Sequence, residues 1–205
     1  MFVITTDQRG SRRHGEQLQP ARTSLAELIA THGLTGIERE FERTVGDEMQ
    51  AVLTSSHSTL ALAMHLQRMQ HWSVGIGVGE VTTLAEDARA SDGPAFFYAR
   101  EAVERARTRA VPVPLAVAAA DAEAAQEVQA LLQLLAAVLR RRSAAGWEMI
   151  DARHRSSTAR EAAEQLGITP QAASQRLDAA LWEEVSGVEP LAARLLGDLD
   201  SSGTG

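Results

Sequence analysis

The segment Thr158–Leu177, TAREAAEQLGITPQAASQRL, constrains this chain more than any other. Its pattern predicts two short helices joined by a tight turn, the arrangement of a helix-turn-helix. Thr158 is placed to N-cap a first helix through Arg160–Leu166. Gly167 follows where the chain must turn at positive φ. Thr169 is placed to cap a second helix, with Pro170 at the first position, where a missing N–H costs nothing. Ala173 and Leu177 share the inward face with Ala162 and Leu166. The outward face is read as Gln171, Ser174, Gln175 and Arg176, side chains suited to base edges and phosphates in a major groove. With Thr169, Arg153 and Arg155 they form the candidate DNA-binding set. An ordinary helical hairpin is the plainer reading of the same spacing.

LGITPQAASQRL resembles the turn and recognition helix of winged-helix regulators and of sigma-factor region-four domains, and Trp147–Ile150 supplies an upstream apolar helix. The resemblance implies double-stranded DNA as a partner. Charge bears on this. The formal net charge is −7, and every one of the 20 basic residues is arginine. DNA affinity would then rest on local arrangement instead of a global positive field, would be salt-sensitive, and would gain from a homodimer.

The chain divides near Ala118–Asp121. Before it, strand-like runs are read at Phe2–Thr6, Ile37–Val45, Glu48–Thr54, Trp72–Thr83 and Val111–Ala118. Helices are read at Arg22–His32, Ser58–Gln70 and Pro94–Arg109. The order β-α-β-β-α-β, then α-β, predicts an α+β fold: a ferredoxin-like or cyclase-like palm domain over 1–119, followed by an all-α domain over 120–200 and a disordered tail over 201–205. Within the second domain the helix-turn-helix spans 158–182. Helix Ala122–Arg142 carries Ala124, Val128, Leu131, Leu135 and Val138 at heptad-like spacing, which suits a core helix or a dimer seam. Pro190 is expected to open a closing helix over Glu189–Leu199. No apolar run reaches membrane-spanning length, and Met1 leads directly into a strand, so a cytoplasmic chain is expected. The absence of cysteine excludes disulfides and thiolate chemistry.

Two acidic positions suggest chemistry. Asp7 closes the first strand, and Asp47 sits with Gly46 in a hairpin tip. Adjacent strands would bring both carboxylates to one end of the sheet, where they could hold Mg²⁺ with substrate phosphates completing the shell. Gly10 and Ser11 would open a phosphate-cradling loop. Singly, each acid is an ordinary turn residue. The six histidines show no metal-ligand spacing and are read as surface or packing residues, and Phe96, Phe97 and Tyr98 as aromatics packed inward.

The blocks FVITTDQRGSRR, ERTVGDEMQAVL, SVGIGVGEV and DGPAFFYAREAVERAR resemble the SatD family and, more distantly, the class III nucleotide cyclase fold. The cyclase resemblance implies metal ligands at Asp7 and Asp47 and a base-selecting role at Arg43, four residues before Asp47. Gly10, Ser11, Arg43, Gly46, Glu48 and Arg100 make up the candidate nucleotide-binding set. The chain departs from the cyclase pattern where catalysis needs it. Phe97 and Glu101 stand at the positions of an Asn and an Arg, and Arg100 is one residue off, a rotation of about 100° on a helix. These readings predict a DNA-binding regulator that senses a ligand, with a nucleotide bound with Mg²⁺ as the candidate. The alternatives are a metal-dependent nucleotide cyclase or related enzyme with an appended DNA module, and a non-catalytic scaffold.

Overall fold

The computed structural model describes residues 1–10, 15–85, 91–108 and 111–202. Five strands form one sheet: β1 (Phe2–Gln8), β2 (Ile37–Arg43), β3 (Glu48–Leu53), β4 (Trp72–Val78) and β5 (Leu115–Ala118). Their order is β2-β3-β1-β4-β5. β1 lies at the centre, antiparallel to both β3 and β4, and β5 joins β4 in parallel. Every residue of β1 is buried, as a central strand covered on both faces requires.

The helices between the strands are α1 (Leu18–His32), α2 (Ser56–Met69) and α3 (Pro94–Arg107). After the sheet come α4 (Ala122–Arg141), α5 (Ala144–His154), α6 (Ala159–Gln165), α7 (Pro170–Ala179) and α8 (Trp182–Ser202). The fold is mixed α+β, with the C-terminal half helical and the β-α-β-β-α-β-α-β succession in place. No helix among the described residues is long and apolar enough to cross a membrane.

Strand alternation assigns the two faces. Phe2, Ile4, Met49, Leu53, Val74 and Ile76 look toward α1, α2, α4 and α8 and build the main core with them. Val3 and Val52 look the other way, toward Ala95 and Ala99 of α3. On that second face, Gly75 and Gly77 let α3 lie directly on β4. A Cβ at either would come under 3.0 Å from the backbone of α3. The alternating glycines thus admit a packed helix.

Several expected boundaries move for local reasons. The fifth strand starts at Leu115, because Pro112 and Pro114 offer no N–H to a ladder. Its outer edge is covered: Gln129 Oε1 accepts from Val117 N at 3.1 Å, and Gln133 Nε2 donates to the Leu115 carbonyl at 2.8 Å. The fourth strand stops at Val78. Pro190 falls inside α8 instead of at its start. The ring removes one helical hydrogen bond, and core packing by Val185, Ala192, Ala193 and Leu196 on either side holds the helix through it. α8 also runs on to Ser202 where a tail was expected; 203–205 lie outside the described residues. α4 is a core helix: Ala125, Val128, Leu132, Leu135, Ala136 and Leu139 join the main core, while Leu134 is exposed.

A second, smaller core belongs to α5, α6 and α7. Met149, Ala152, Ala162, Ala163 and Ala173 are buried together, with Leu166, Ile168 and Leu177 partly buried against them. Small residues at the contacts let these short helices cross closely. A bidentate ion pair, Arg68 to Asp151 at 2.6 Å on both arms, ties α2 to α5.

Candidate functional site

Asp7 is the best-placed candidate for chemistry. In the antiparallel register it stands directly across from Glu48 on β3 and from Ser73 on β4. Two carboxylates opposed across a strand pair repel one another. Arg107, at the C-terminal end of α3, answers both: its Nε lies 3.3 Å from Asp7 and its Nη1 3.8 Å from Glu48. Burial pushes the Asp7 carboxyl up to about 6; Arg107 opposes the rise, while Asp47 and Glu48 add to it. Ser73 is fully buried beside it, and its Oγ has no hydrogen-bond partner among the described residues. Trp72 Nε1 and Ser156 Oγ are buried without a partner in the same way, so the Ser73 hydroxyl is one of several such groups.

The Gly46–Asp47 hairpin tip forms as expected. Gly46 takes φ 61°, Glu48 N donates to the Val45 carbonyl, and Gln8 N donates to the Asp47 carbonyl at 3.3 Å. The turn therefore brings Asp47 within electrostatic reach of Asp7. Asp7, Asp47 and Glu48 do share one end of the sheet. Yet among the described residues no three His, Cys, Asp or Glu side chains are placed to hold a metal ion. The guanidinium of Arg107 supplies the positive charge that a divalent ion would bring, so the residues as arranged do not fit Mg²⁺.

Between this corner and α3 runs a groove of about 670 Å³, within the usual size range for small-molecule sites. Its floor is Thr5, Glu48 and Gln50, its far wall Thr44 and Val45 of the hairpin, and its near wall Phe96, Phe97, Arg100, Glu104 and Arg107 of α3. Phe97 is 70% exposed, not packed inward. Ala95, Ala99, Ala102, Val103 and Ala106 form the stripe that faces the sheet, and Phe97 lies off it. Arg100 lines the groove. Arg43 turns away: its Nε donates to the Gly46 carbonyl at 2.7 Å and its Nη1 pairs with Glu16. Gly10 takes φ 70°, as a loop-opening glycine can. Ser11 lies outside the described residues. Arg107 and Ser73 escaped the sequence reading, because only strand register and the length of α3 place them beside Asp7.

The C-terminal candidates sit on α5 to α7. Thr158 Oγ1 accepts from Glu161 N at 3.1 Å, and Thr169 Oγ1 accepts from Ala172 N at 3.1 Å, so both caps form. Gly167 takes φ 65° between the two helices. Gln171, Ser174 and Gln175 are exposed on one face of α7. Arg176 is not part of that free face; it turns back onto α5 and pairs with Glu148 at 2.8 Å. Arg153 is spent locally, donating to the Ser156 carbonyl at 2.7 Å, and Arg155 is exposed.

A family model described as the SatD family matches residues 6–182. No curated protein and no solved structure matches the chain. The match takes in the sheet with its Asp7 corner and continues through α5, α6 and α7. The chain belongs to the SatD family.

Proposed function

We propose that this protein is a DNA-binding transcriptional regulator whose sheet domain senses a ligand in the groove beside Asp7. One observation carries the DNA reading. α7 presents Gln171, Ser174 and Gln175 to solvent from a small three-helix unit that has its own core. The two formed caps and the turn glycine support reading this unit as a helix-turn-helix, with α7 as the helix offered to a major groove. Two such helices on a homodimer would read two half-sites.

The ligand is proposed to be of the nucleotide class. Arg100 and Arg107 offer guanidinium groups for phosphate, and exposed Phe97 offers a face on which a base can stack. The strand order supports the ferredoxin-like, cyclase-like reading of the sheet domain. A divalent ion would enter only with Arg107 moved off Asp7.

Selection from a random duplex library, followed by anisotropy titration across a salt series, tests the DNA reading. Saturable binding that weakens with salt and is lost in Gln171→Ala/Gln175→Ala is the expected result; no enrichment refutes it. Calorimetry with a nucleotide panel, with and without Mg²⁺, tests the groove, and mass spectrometry of the same samples separates sensing from turnover. A second reading, a nucleotide-processing enzyme with an appended DNA module, is favoured by the three acids. It is established by product and refuted by binding without product. Silence toward both DNA and nucleotide leaves a scaffold.

A further inference from the structure

A second cavity, distinct from the groove, lies on the opposite side of the sheet, where α1 and α2 meet α5 and α8. Its volume is about 240 Å³, below the usual range for drug-sized ligands. The floor is aliphatic: Leu28, Leu60, Met64, Leu139, Ile150 and Val185. The walls are aromatic. Two guanidinium groups lie over Trp147, Arg68 at 4.1 Å and Arg142 at 4.9 Å from its ring centre. Across from it, Trp182, His154 and His32 stack edge to face at 5.0 and 4.8 Å.

The polar groups differ in how far they are spent. Arg68 is held bidentately by Asp151. His65 takes the Ser24 hydroxyl at 2.7 Å, and burial pushes its pKa down to about 4, so the ring is neutral. Arg142 hydrogen-bonds only to backbone: Nε donates to the Ala180 carbonyl at 2.8 Å, and Nη2 reaches the Leu181 carbonyl at 3.5 Å. Its opposite charge is Glu189 in the same cavity wall, whose carboxyl is pushed up by burial and held down by Arg142. Nη1 of Arg142 makes no hydrogen bond among the described residues, and none there joins Glu189 to this guanidinium. One planar acid beside the aromatic faces can therefore take the open arm of Arg142, with Glu189, already pushed toward its neutral form by burial, giving up its place as counter-charge.

We propose that this cavity binds a small aromatic carboxylic acid, its ring on the tryptophan-lined wall and its carboxylate on Arg142. Arg142 also gives the site a route outward. Ala180 and Leu181 form the junction between α7 and α8, and Leu181 holds φ 52°, a left-handed conformation that leucine adopts rarely. The strained junction is fastened by the same guanidinium that the carboxylate would engage. Occupancy therefore loosens or resets the C-terminal end of α7. This coupling to DNA rests on the regulatory reading above; the binding site does not.

Benzoate is the probe, with benzamide as its uncharged counterpart. Binding is read by calorimetry and by tryptophan fluorescence, since two of the three tryptophans line the cavity. Hydrogen exchange follows the amides of residues 180–184. Benzoate is expected to saturate and change the fluorescence, with benzamide at least about tenfold weaker. Ala61→Phe, which fills the cavity from α2, should abolish binding without lowering the melting temperature; Arg142→Met should remove the preference for the acid. Absence of saturation, equal binding of benzamide, or full binding by Ala61→Phe overturns the site. Binding with unchanged exchange at residues 180–184 overturns the coupling alone. Binding and altered exchange in a protein that never binds DNA leaves the site standing and removes the regulatory reading.

Discussion

Replacing Asp7 by Asn should stabilise the protein at and above neutral pH, and not in acid. The Asp7 carboxyl is 12% exposed in its side chain, and burial raises its pKa from 3.8 to about 6. The folded state therefore binds this proton more tightly than the unfolded chain does. Between those two values the folded protein carries more protons, so this group's contribution falls as pH rises, and the full penalty is present above about pH 6. The rise is equivalent to roughly 3 kcal/mol at about 1.4 kcal/mol per pH unit. Asparagine is nearly the same shape and cannot ionise. Urea titration should therefore show Asp7→Asn more stable than the parent by about 2–3 kcal/mol near pH 8, with the difference shrinking below about 1 kcal/mol near pH 4. A variant less stable at pH 8, or one whose gain does not change with pH, would refute the reasoning. It would mean that the Arg107 pairing outweighs the burial cost. A carboxylate that opposes folding where the protein works is typical of groups kept for what they bind.

Gly77→Ala should cost about 1–3 kcal/mol or more by urea titration, because the added methyl meets the backbone of α3. Gly79→Ala is the control: its nearest neighbour would lie at 3.4 Å, an ordinary contact, and its cost should stay below about 0.5 kcal/mol. Asp151→Ala breaks the bidentate hold on Arg68 between α2 and α5, so amide exchange in α5 to α7 should accelerate more than in the sheet. Glu148→Gln releases Arg176 from its ion pair and removes one negative charge near α7; in an anisotropy titration DNA affinity should rise about three- to tenfold, with a steeper salt dependence. Unchanged affinity would show that Arg176 does not face phosphate.

Local chemistry made part of this protein legible in its sequence. Thr158, Gly167 and Thr169 act within four residues of themselves, so cap, turn and cap could be read from spacing. The Gly46–Asp47 hairpin and the strands from Phe2 and from Glu48 were readable for the same reason, and their pairing followed from the hairpin. What spacing cannot convey is which distant elements meet. Arg107 reaches Asp7 across one hundred positions because α3 crosses β4, and no periodicity in α3 announces that. The histidines looked unrelated along the chain, yet His32 and His154 come to one cavity mouth from α1 and α5. Arg176 illustrates the same limit in a different way. Its position on α7 suits an outward role, but Glu148 on a neighbouring helix recruits it. Pro190 was misplaced because the rule that puts proline first in a helix describes an isolated segment, whereas packing on both sides of the ring carries α8 through it.

The glycine pair in β4 sets how the groove can change shape. With backbone seated on backbone at Gly75 and Gly77, α3 has no side-chain layer to slide on and travels with β4 as one slab. The wall carrying Phe97, Arg100 and Arg107 is then a fixed jaw. The opposite wall, Thr44 and Val45, hangs from an outer hairpin anchored on one side only. A ligand that grips both walls would therefore load the hairpin before α3, and with it β2, the strand farthest from α3.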